Sequence, residues 1–281
     1  MPWCVIGLAS EEISLRHRWA DPMQVLWTTS LNWVDEGLVV ARRSVKNEVA
    51  QPFNGYRILV DPGHGGRDDG AVYSGVHEKA LTLRLSEMIR SEVERAAKFG
   101  RIPIQVKLTR SADIAIPLKE RVQMANDWKA DLFMSVHANS SPSAKAKGFE
   151  VYFLSSYSSD EDTHHVVQKE NSEKETNENN SDVQSILADV QTQQHIKESS
   201  YFAEDIHRAV SLKVRTNQRG VRQGPFTVLS GTQMPAVLVE VGYLTNDEDR
   251  TDLQRFSYLK RIASAISSGI IEYVLKVRKI S

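Results

Sequence analysis

The chain has 281 residues, of which 41% are hydrophobic and 25% are charged, and its formal net charge is −1. This composition fits one or two globular domains and excludes the basic stripe that nucleic-acid binding requires. No window approaches 18 consecutive apolar residues, so the sequence predicts no membrane span. Cys4 is the only cysteine, which excludes an internal disulfide and leaves histidines and carboxylates as the ligands for any metal.

The first 52 residues carry four of the five tryptophans and no sustained periodicity. We interpret 1–52 as a leader of unclear structure, followed by a folded domain over 53–281. The apolar patch Pro2–Ala9 has no preceding Lys or Arg and is followed by two glutamates, so it is a poor signal peptide.

Strand and helix patterns alternate through the rest of the chain. Strands are predicted at 58–60, 104–108, 132–136, 149–154, 227–229 and 237–241. Helices are predicted at 78–99, 117–128, 183–190, 201–214 and 246–277. This order predicts an α/β fold: a single domain whose mostly parallel, mixed central sheet of about six strands is covered by helices on both faces. Sites in such sheets gather at the carboxyl ends of strands.

Two histidines follow predicted strands, and one of them lies in a glycine-rich turn. The run Ile58–Val60 ends in Asp-Pro-Gly, and His64 is bracketed by glycines that let the backbone turn sharply and let other groups approach the imidazole. His137 ends the strand at 132–136, and Glu78 begins the first long helix.

These three side chains form a candidate catalytic metal site. Two imidazoles and one carboxylate are a three-ligand set that leaves a fourth zinc position for water. Glu240 lies inside the apolar strand at 237–241, where burial raises a carboxyl pKa, so it is the candidate proton carrier.

At these residues the sequence resembles the zinc-dependent N-acetylmuramoyl-L-alanine amidases of the amidase-3 type, which cut peptidoglycan. The resemblance is carried, in order, by the blocks VDPGHGG at 60–66, EK at 78–79, LTR at 108–110, SVHAN at 135–139 and MPAVLVEVGYLTN at 234–246. It covers roughly 54–277.

The resemblance implies roles for four residues and a reaction. His64, Glu78 and His137 would hold one Zn²⁺, and Glu240 would be the catalytic carboxylate. The enzyme would hydrolyse the amide between N-acetylmuramic acid and L-alanine, as an autolysin in cell separation or wall remodelling.

Several assignments keep alternatives. His77 can replace Glu78 as a ligand. The pair His164-His165 can bind metal but is expected to be solvated. Asn139 either orients the substrate or a water near the metal, or caps the loop. Arg222 either contacts carboxylates of the stem peptide or forms a structural salt bridge.

The polar segment at about 156–200 resembles a regulatory insertion of the cell-division members of the family. In those members a helix covers the zinc and blocks it with a glutamate until an activator protein removes it. We hypothesise that Glu170 plays this part; the alternative is a mobile linker, since Glu173, Glu175 and Glu178 are equally anionic and the composition favours disorder.

Two other functions compete with the amidase interpretation: a carbohydrate deacetylase, and a non-catalytic wall-binding or activator protein. The substrate implies a periplasmic or extracellular location, and the missing secretion signal suggests that the chain as given lacks its exported leader. A monomer is expected.

Overall fold

The computed structural model describes residues 53–172 and 190–280. The predicted leader at 1–52 and nearly all of the predicted helix at 183–190 lie outside the described residues, as do Glu173, Glu175 and Glu178.

The described residues contain eight strands, a short 3₁₀ helix and six α-helices. The strands are β1 Tyr56–Pro62, β2 Val72–Tyr73, β3 Val76–His77, β4 Ile104–Leu108, β5 Leu132–Asn139, β6 Phe149–Leu154, β7 Gln218–Gly224 and β8 Ala236–Tyr243. The helices are α1 Glu78–Gly100, α2 Leu118–Asp127, α3 Glu161–Glu170, α4 Val190–Lys213, α5 Asp247–Gln254 and α6 Phe256–Ile280.

Six strands form one mixed sheet in the order β4-β1-β5-β8-β6-β7. All neighbours in it are parallel except β6 and β8, which are antiparallel. The predicted α/β fold with a mostly parallel sheet of about six strands is confirmed. The parallel core brings the carboxyl ends of β1, β5 and β8 to one edge, where the predicted site residues lie.

Both faces of the sheet are covered, because side chains alternate along each strand. Val237 and Val239 of β8 pack in the larger core with α1, α4 and α6, whereas Leu238 packs in the smaller core with α2 and α3. Among the described residues, no helix is long and apolar enough to cross a membrane.

Two sequence predictions of secondary structure are wrong, and one strand was missed. Residues Thr227–Leu229 form a 3₁₀ helix and not a strand, while β7 is a strand that the sequence did not reveal. The closing helix is two helices separated at Arg255, whose backbone is extended. Residues Glu161–Glu170 of the polar segment form α3, which buries Val166 and Val167.

The end of β1 is held by a buried carboxylate and arginine. Asp61 Oδ1 accepts hydrogen bonds from Arg121 at 2.7 Å and from Thr109 at 2.5 Å, and its Oδ2 accepts one from Ser135 at 2.7 Å. Burial alone would raise the pKa of Asp61, but the Arg121 guanidinium and the two hydroxyls outweigh it and lower the pKa. The charged pair therefore ties β1 to β5 and α2.

Replacing Asp61 with Asn should destabilise the protein by about 3–5 kcal/mol at pH 7, because it leaves the Arg121 charge buried and unpaired. Since the folded-state pKa is lowered, this stabilisation is present above the unfolded value of about 3.9 and is lost as the pH falls through the folded value. Urea unfolding of both proteins should show a deficit that shrinks only below about pH 4. An equal stability at pH 7 would contradict this role of the pair.

Candidate metal centre

His64 lies in a turn that few residues other than glycine favour. Its φ is 60°, and the two following glycines have φ values of 132° and 59°. The carbonyl oxygens of the turn are held by two buried arginines: Arg110 donates to those of Pro62 and Gly63, and Arg121 to those of Pro62 and His64. The turn is therefore fixed from beneath, and His64 projects from the carboxyl end of β1.

Gly63 permits the second histidine to approach. A Cβ at Gly63 would lie 2.4 Å from Cε1 of His137, a distance that real Cβ atoms essentially never show. The His64 and His137 rings are edge-to-face with centroids 4.9 Å apart. Gly63 therefore leaves room for the ring of His137 beside His64.

Four buried side chains converge at this edge of the sheet: His64, Glu78, His137 and Glu170. One ligand atom from each lies within 4.8 Å of the others. Glu78 Oε1 is 3.2 Å from His64 Nε2 and 3.2 Å from His137 Nδ1. Glu170 Oε2 is 3.5 Å from His64 Nε2 and 2.8 Å from His137 Nδ1.

This donor set fits a small divalent cation. A tetrahedral ion with bonds of about 2.1 Å has ligand-to-ligand edges of about 3.4 Å, close to the distances between these atoms. His64 Nε2 is buried and, within the described parts of the chain, is not used in a regular hydrogen bond. Burial lowers the pKa of His137, but the Glu170 carboxylate outweighs it and raises this pKa to about 10. The site therefore favours positive charge.

Each of the three predicted ligands has a partner that orients it. His64 Nδ1 is 2.7 Å from Asp68 Oδ2, which fixes the ring so that Nε2 faces the cluster. His137 Nε2 is 3.1 Å from Ser135 Oγ. Glu78 accepts from the backbone N–H of Ala71 at 2.8 Å and of Ala138 at 2.9 Å.

Glu240 lies opposite His137 in the pairing of β5 with β8, so their backbones are about 4.8 Å apart. It is fully buried, and neither carboxylate oxygen has a hydrogen-bond partner among the residues that the structure describes. Burial, and then the negative charge of Glu170, raise the pKa of Glu240 well above its usual value. Burial therefore favours the protonated form of this carboxyl group, as a proton carrier requires.

Glu170 reaches the cluster because α3 packs on the sheet through Thr163, Val166, Val167 and Glu170, which share one face at helical spacing. Asp160 caps the helix by accepting from the N–H of Thr163 at 2.8 Å. Beyond its last residue, Asn171 donates to Pro225 O at 2.8 Å. Lys169 Nζ lies 3.0 Å from Glu170 Oε1 and 3.3 Å from Glu78 Oε2, so it partly neutralises the two carboxylates.

The other predicted residues lie around this cluster. His77 is half-buried and faces Asp69 at 3.2 Å, away from the cluster. His164 and His165 are exposed, as expected. Asn139 is buried and accepts from the N–H of Ser140 at 2.7 Å. Arg222 binds Asp160 of the α3 cap at 2.7 Å. These contacts are structural, and the substrate roles of Asn139 and Arg222 stay predictions.

Sequence reasoning missed several residues of the site. They are Asp68, Ser135, Lys169 and the two arginines beneath the turn, Arg110 and Arg121. Ser135 lies two residues before His137 on the same face of β5, which is a signal that alternation could have supplied. The partners of the arginines are backbone carbonyls far away in sequence, which no local pattern reveals.

In this structure, histidines and carboxylates lie together at the carboxyl ends of parallel strands. This arrangement suits metal-dependent hydrolysis. Comparison with known proteins refines this class. The chain matches the profile of the family described as N-acetylmuramoyl-L-alanine amidase over residues 58–272. The chain belongs to this family.

Individual relatives agree with the family match. The N-acetylmuramoyl-L-alanine amidase AmiA of Escherichia coli (strain K12) is 33% identical over 232 residues, 80% of this chain and 78% of the relative. The uncharacterized protein YqiI of Bacillus subtilis (strain 168) is 34% identical over 80% of this chain and 88% of its own length. The solved structure of the amidase AmiC2 of Nostoc punctiforme is 28% identical with a TM-score of 0.59, covering 78% of this chain and 97% of that chain.

The activity of this chain is that of the family. It is an N-acetylmuramoyl-L-alanine amidase that hydrolyses cell-wall peptidoglycan. The expected enzyme class and reaction are confirmed.

Replacing Gly63 with Ala should weaken metal binding, because the added Cβ overlaps the His137 ring. Overpacking of this kind costs about 1–3 kcal/mol, and displacement of a ligand should weaken the affinity for Zn²⁺ by at least about tenfold. Calorimetric titration of the metal-free protein with Zn²⁺ measures this.

The matched control is Gly75→Ala. Gly75 has a positive φ of 77°, which Gly63 does not, and a Cβ there meets nothing within 4 Å. The control should lose a little stability through backbone strain and keep its metal affinity. Unchanged affinity in Gly63→Ala would contradict the close approach of the two histidines.

Proposed function

We propose that the amidase uses one Zn²⁺ held by His64, Glu78 and His137, with Glu240 as the catalytic proton carrier. The observation that carries this proposal is the convergence of buried ligand atoms within 4.8 Å of one another beside a buried carboxyl group. Two imidazole nitrogens and a carboxylate oxygen form a set typical of catalytic zinc.

Zinc, when bound, lowers the pKa of a water ligand from about 15.7 toward 7 and polarises the scissile carbonyl. Glu240 accepts the proton of the attacking water at a carboxylate oxygen and delivers it to the nitrogen of the leaving L-alanine. Burial of Glu240 raises its pKa and favours the protonated form, which is the form that delivers the proton to the amine.

The hydrogen bonds to Asp68 and Ser135 leave one nitrogen of each histidine unprotonated toward the metal. A proton on His64 Nδ1, shared with Asp68, leaves Nε2 unprotonated toward the metal. A proton on His137 Nε2 is directed to Ser135 Oγ, whose hydroxyl donates to Asp61 at 2.7 Å. Metal binding is thereby coupled to the buried ion pair that holds β1.

We further propose that the structure represents a resting state in which Glu170 is the fourth ligand. Glu170 is only 5% exposed and lies as near to the histidines as Glu78 does. Substrate can reach the metal only when Glu170 leaves, so α3 acts as a lid. An activator protein that displaces α3 would switch the enzyme on.

An enzyme that cuts peptidoglycan meets its substrate outside the cytoplasm. We therefore propose a location in the cell envelope, periplasmic or extracellular, and a role in cell separation or wall remodelling.

Replacing Glu240 with Gln should lower kcat by about 10²- to 10⁴-fold while zinc content stays near one per chain, because the change removes a proton carrier and no ligand. The assay incubates the protein with peptidoglycan and quantifies new L-alanine amino termini on the released stem peptides. Loss of zinc from the variant would show that Glu240 is a ligand, and release of acetate by the wild type would favour a deacetylase.

Replacing Glu170 with Ala should raise the basal rate by about tenfold or more, since it removes a charged contact that holds the lid closed. Deleting α3 would be a poorer test, because Val166 and Val167 of this helix are part of the core. Glu161→Ala is the control: this glutamate lies on the same helix with its side chain 81% exposed. Equal rates in all three proteins would rule out inhibition by Glu170.

A further inference from the structure

Two arginines of the edge strand β7 bind the lid. Arg222 Nη1 lies 2.8 and 2.7 Å from the two carboxylate oxygens of Asp160, the residue that caps α3. Arg219 Nη2 lies 2.9 Å from Asp162 Oδ2, in the first turn of the same helix. The amino end of the lid is thus attached to the sheet by two ion pairs.

Beneath the arginines lies a third carboxylate, which belongs to the sheet and not to the lid. Glu150 is fully buried, and its Oε2 is 3.2 Å from Arg219 Nε and 3.5 Å from Arg222 Nε. The Tyr243 hydroxyl also donates to Glu150. Glu150 therefore fixes both guanidinium groups, and it remains in place whatever the lid does.

The net charge of this cluster changes from negative to positive when the lid leaves. With α3 in place, two arginines face three carboxylates; when Asp160 and Asp162 leave, two positive charges face only Glu150. The arginine side chains are 16–17% exposed, whereas those of Asp160 and Asp162 are 47% and 69% exposed. The lid carboxylates are the exchangeable partners, and the site left behind calls for another anion.

This anion site lies within reach of the catalytic carboxyl group. Glu150 of β6 is directly opposite Glu240 of β8 in the antiparallel pairing, and Gly220, between the two arginines, pairs with Glu150. Neighbouring strands are about 4.8 Å apart, so the arginines lie about 10 Å from the Glu240 backbone. An extended peptide covers that distance in about three residues.

We propose that Arg219 and Arg222 form the subsite that binds free carboxylates of the substrate's stem peptide, and that Asp160 and Asp162 occupy this subsite while the lid is closed. The proposal rests on the amidase function and deepens it. Opening the lid then does two things at once: it withdraws Glu170 from the metal ligands and frees two arginines for the substrate. Lid and substrate compete for the same guanidinium groups.

The test compares two ligands that differ only in charge. One is a muramoyl dipeptide ending in L-alanyl-D-glutamate with free carboxylates, and the other carries carboxamides in their place. Dissociation constants are measured calorimetrically on zinc-loaded Glu240→Gln protein, in which turnover is suppressed. Hydrolysis by the wild type is assayed separately, so failure of the amidase function and failure of the subsite are distinguishable.

Removing the competing anions should strengthen binding of the acid. The double change Asp160→Asn and Asp162→Asn keeps the helix cap, since Asn caps as well as Asp, but removes both charges. We expect this variant to bind the free acid at least about tenfold more tightly, with a smaller gain for the amide. A structural latch with no substrate role would change both affinities equally, and that result would overturn the proposal.

Removing either arginine should abolish the preference. In the Glu240→Gln protein that also carries Asp160→Asn and Asp162→Asn, Arg222→Gln or Arg219→Gln should lower the affinity ratio of acid to amide by about tenfold. Each variant leaves Glu150 one arginine partner. Arg255→Gln is the control, because Arg255 lies between α5 and α6, its side chain is 63% exposed, and it pairs locally with Asp252; it should keep the ratio. A ratio that stays the same in both β7 variants would overturn the proposal.

Discussion

The site depends on the way two buried arginines hold the backbone carbonyls at the end of β1. Arg110 and Arg121 donate to three successive carbonyl oxygens of the turn that carries His64. These oxygens are buried, so without the arginines they would cost desolvation energy and the turn would relax. Asp61 balances the charge of Arg121 in the same buried space. The position of the histidine is therefore set by a polar network in the core and not by the loop itself.

Electrostatic interactions connect this edge of the sheet to α3, the helix that we propose acts as a lid. Glu78, Glu170 and Glu240 lie close together in a buried region, and the proximity of Glu170 raises the pKa of Glu240. Two histidines and Lys169 compensate the negative charge. Since Glu170 and Lys169 both belong to α3, a displaced lid removes one negative and one positive charge together. The net charge of the metal cluster is then unchanged on opening.

The sequence alone predicted the sheet, the three candidate ligands and Glu240, because buried parallel strands are apolar runs and the site residues follow or interrupt them. It failed where structure depends on distant partners. The strand β7 is polar because it is an edge strand whose arginines face Glu150, so it has no apolar run. The sequence of α3 is mostly polar, because only one narrow face of the helix packs on the sheet. Thr227–Leu229 is apolar but too short for its periodicity to distinguish a strand from a 3₁₀ turn.

The measurement that tests the central claim most directly is a crystal structure of the zinc-loaded protein without activator, with anomalous scattering recorded at the zinc edge. The account predicts one zinc about 2.1 Å from His64, His137 and an oxygen of Glu78, with a Glu170 oxygen as the fourth ligand and Asp160 still bound to Arg222. A zinc ligated by water in place of Glu170, with α3 in the same position, would contradict the resting state described above. A zinc held by other residues would contradict the site itself.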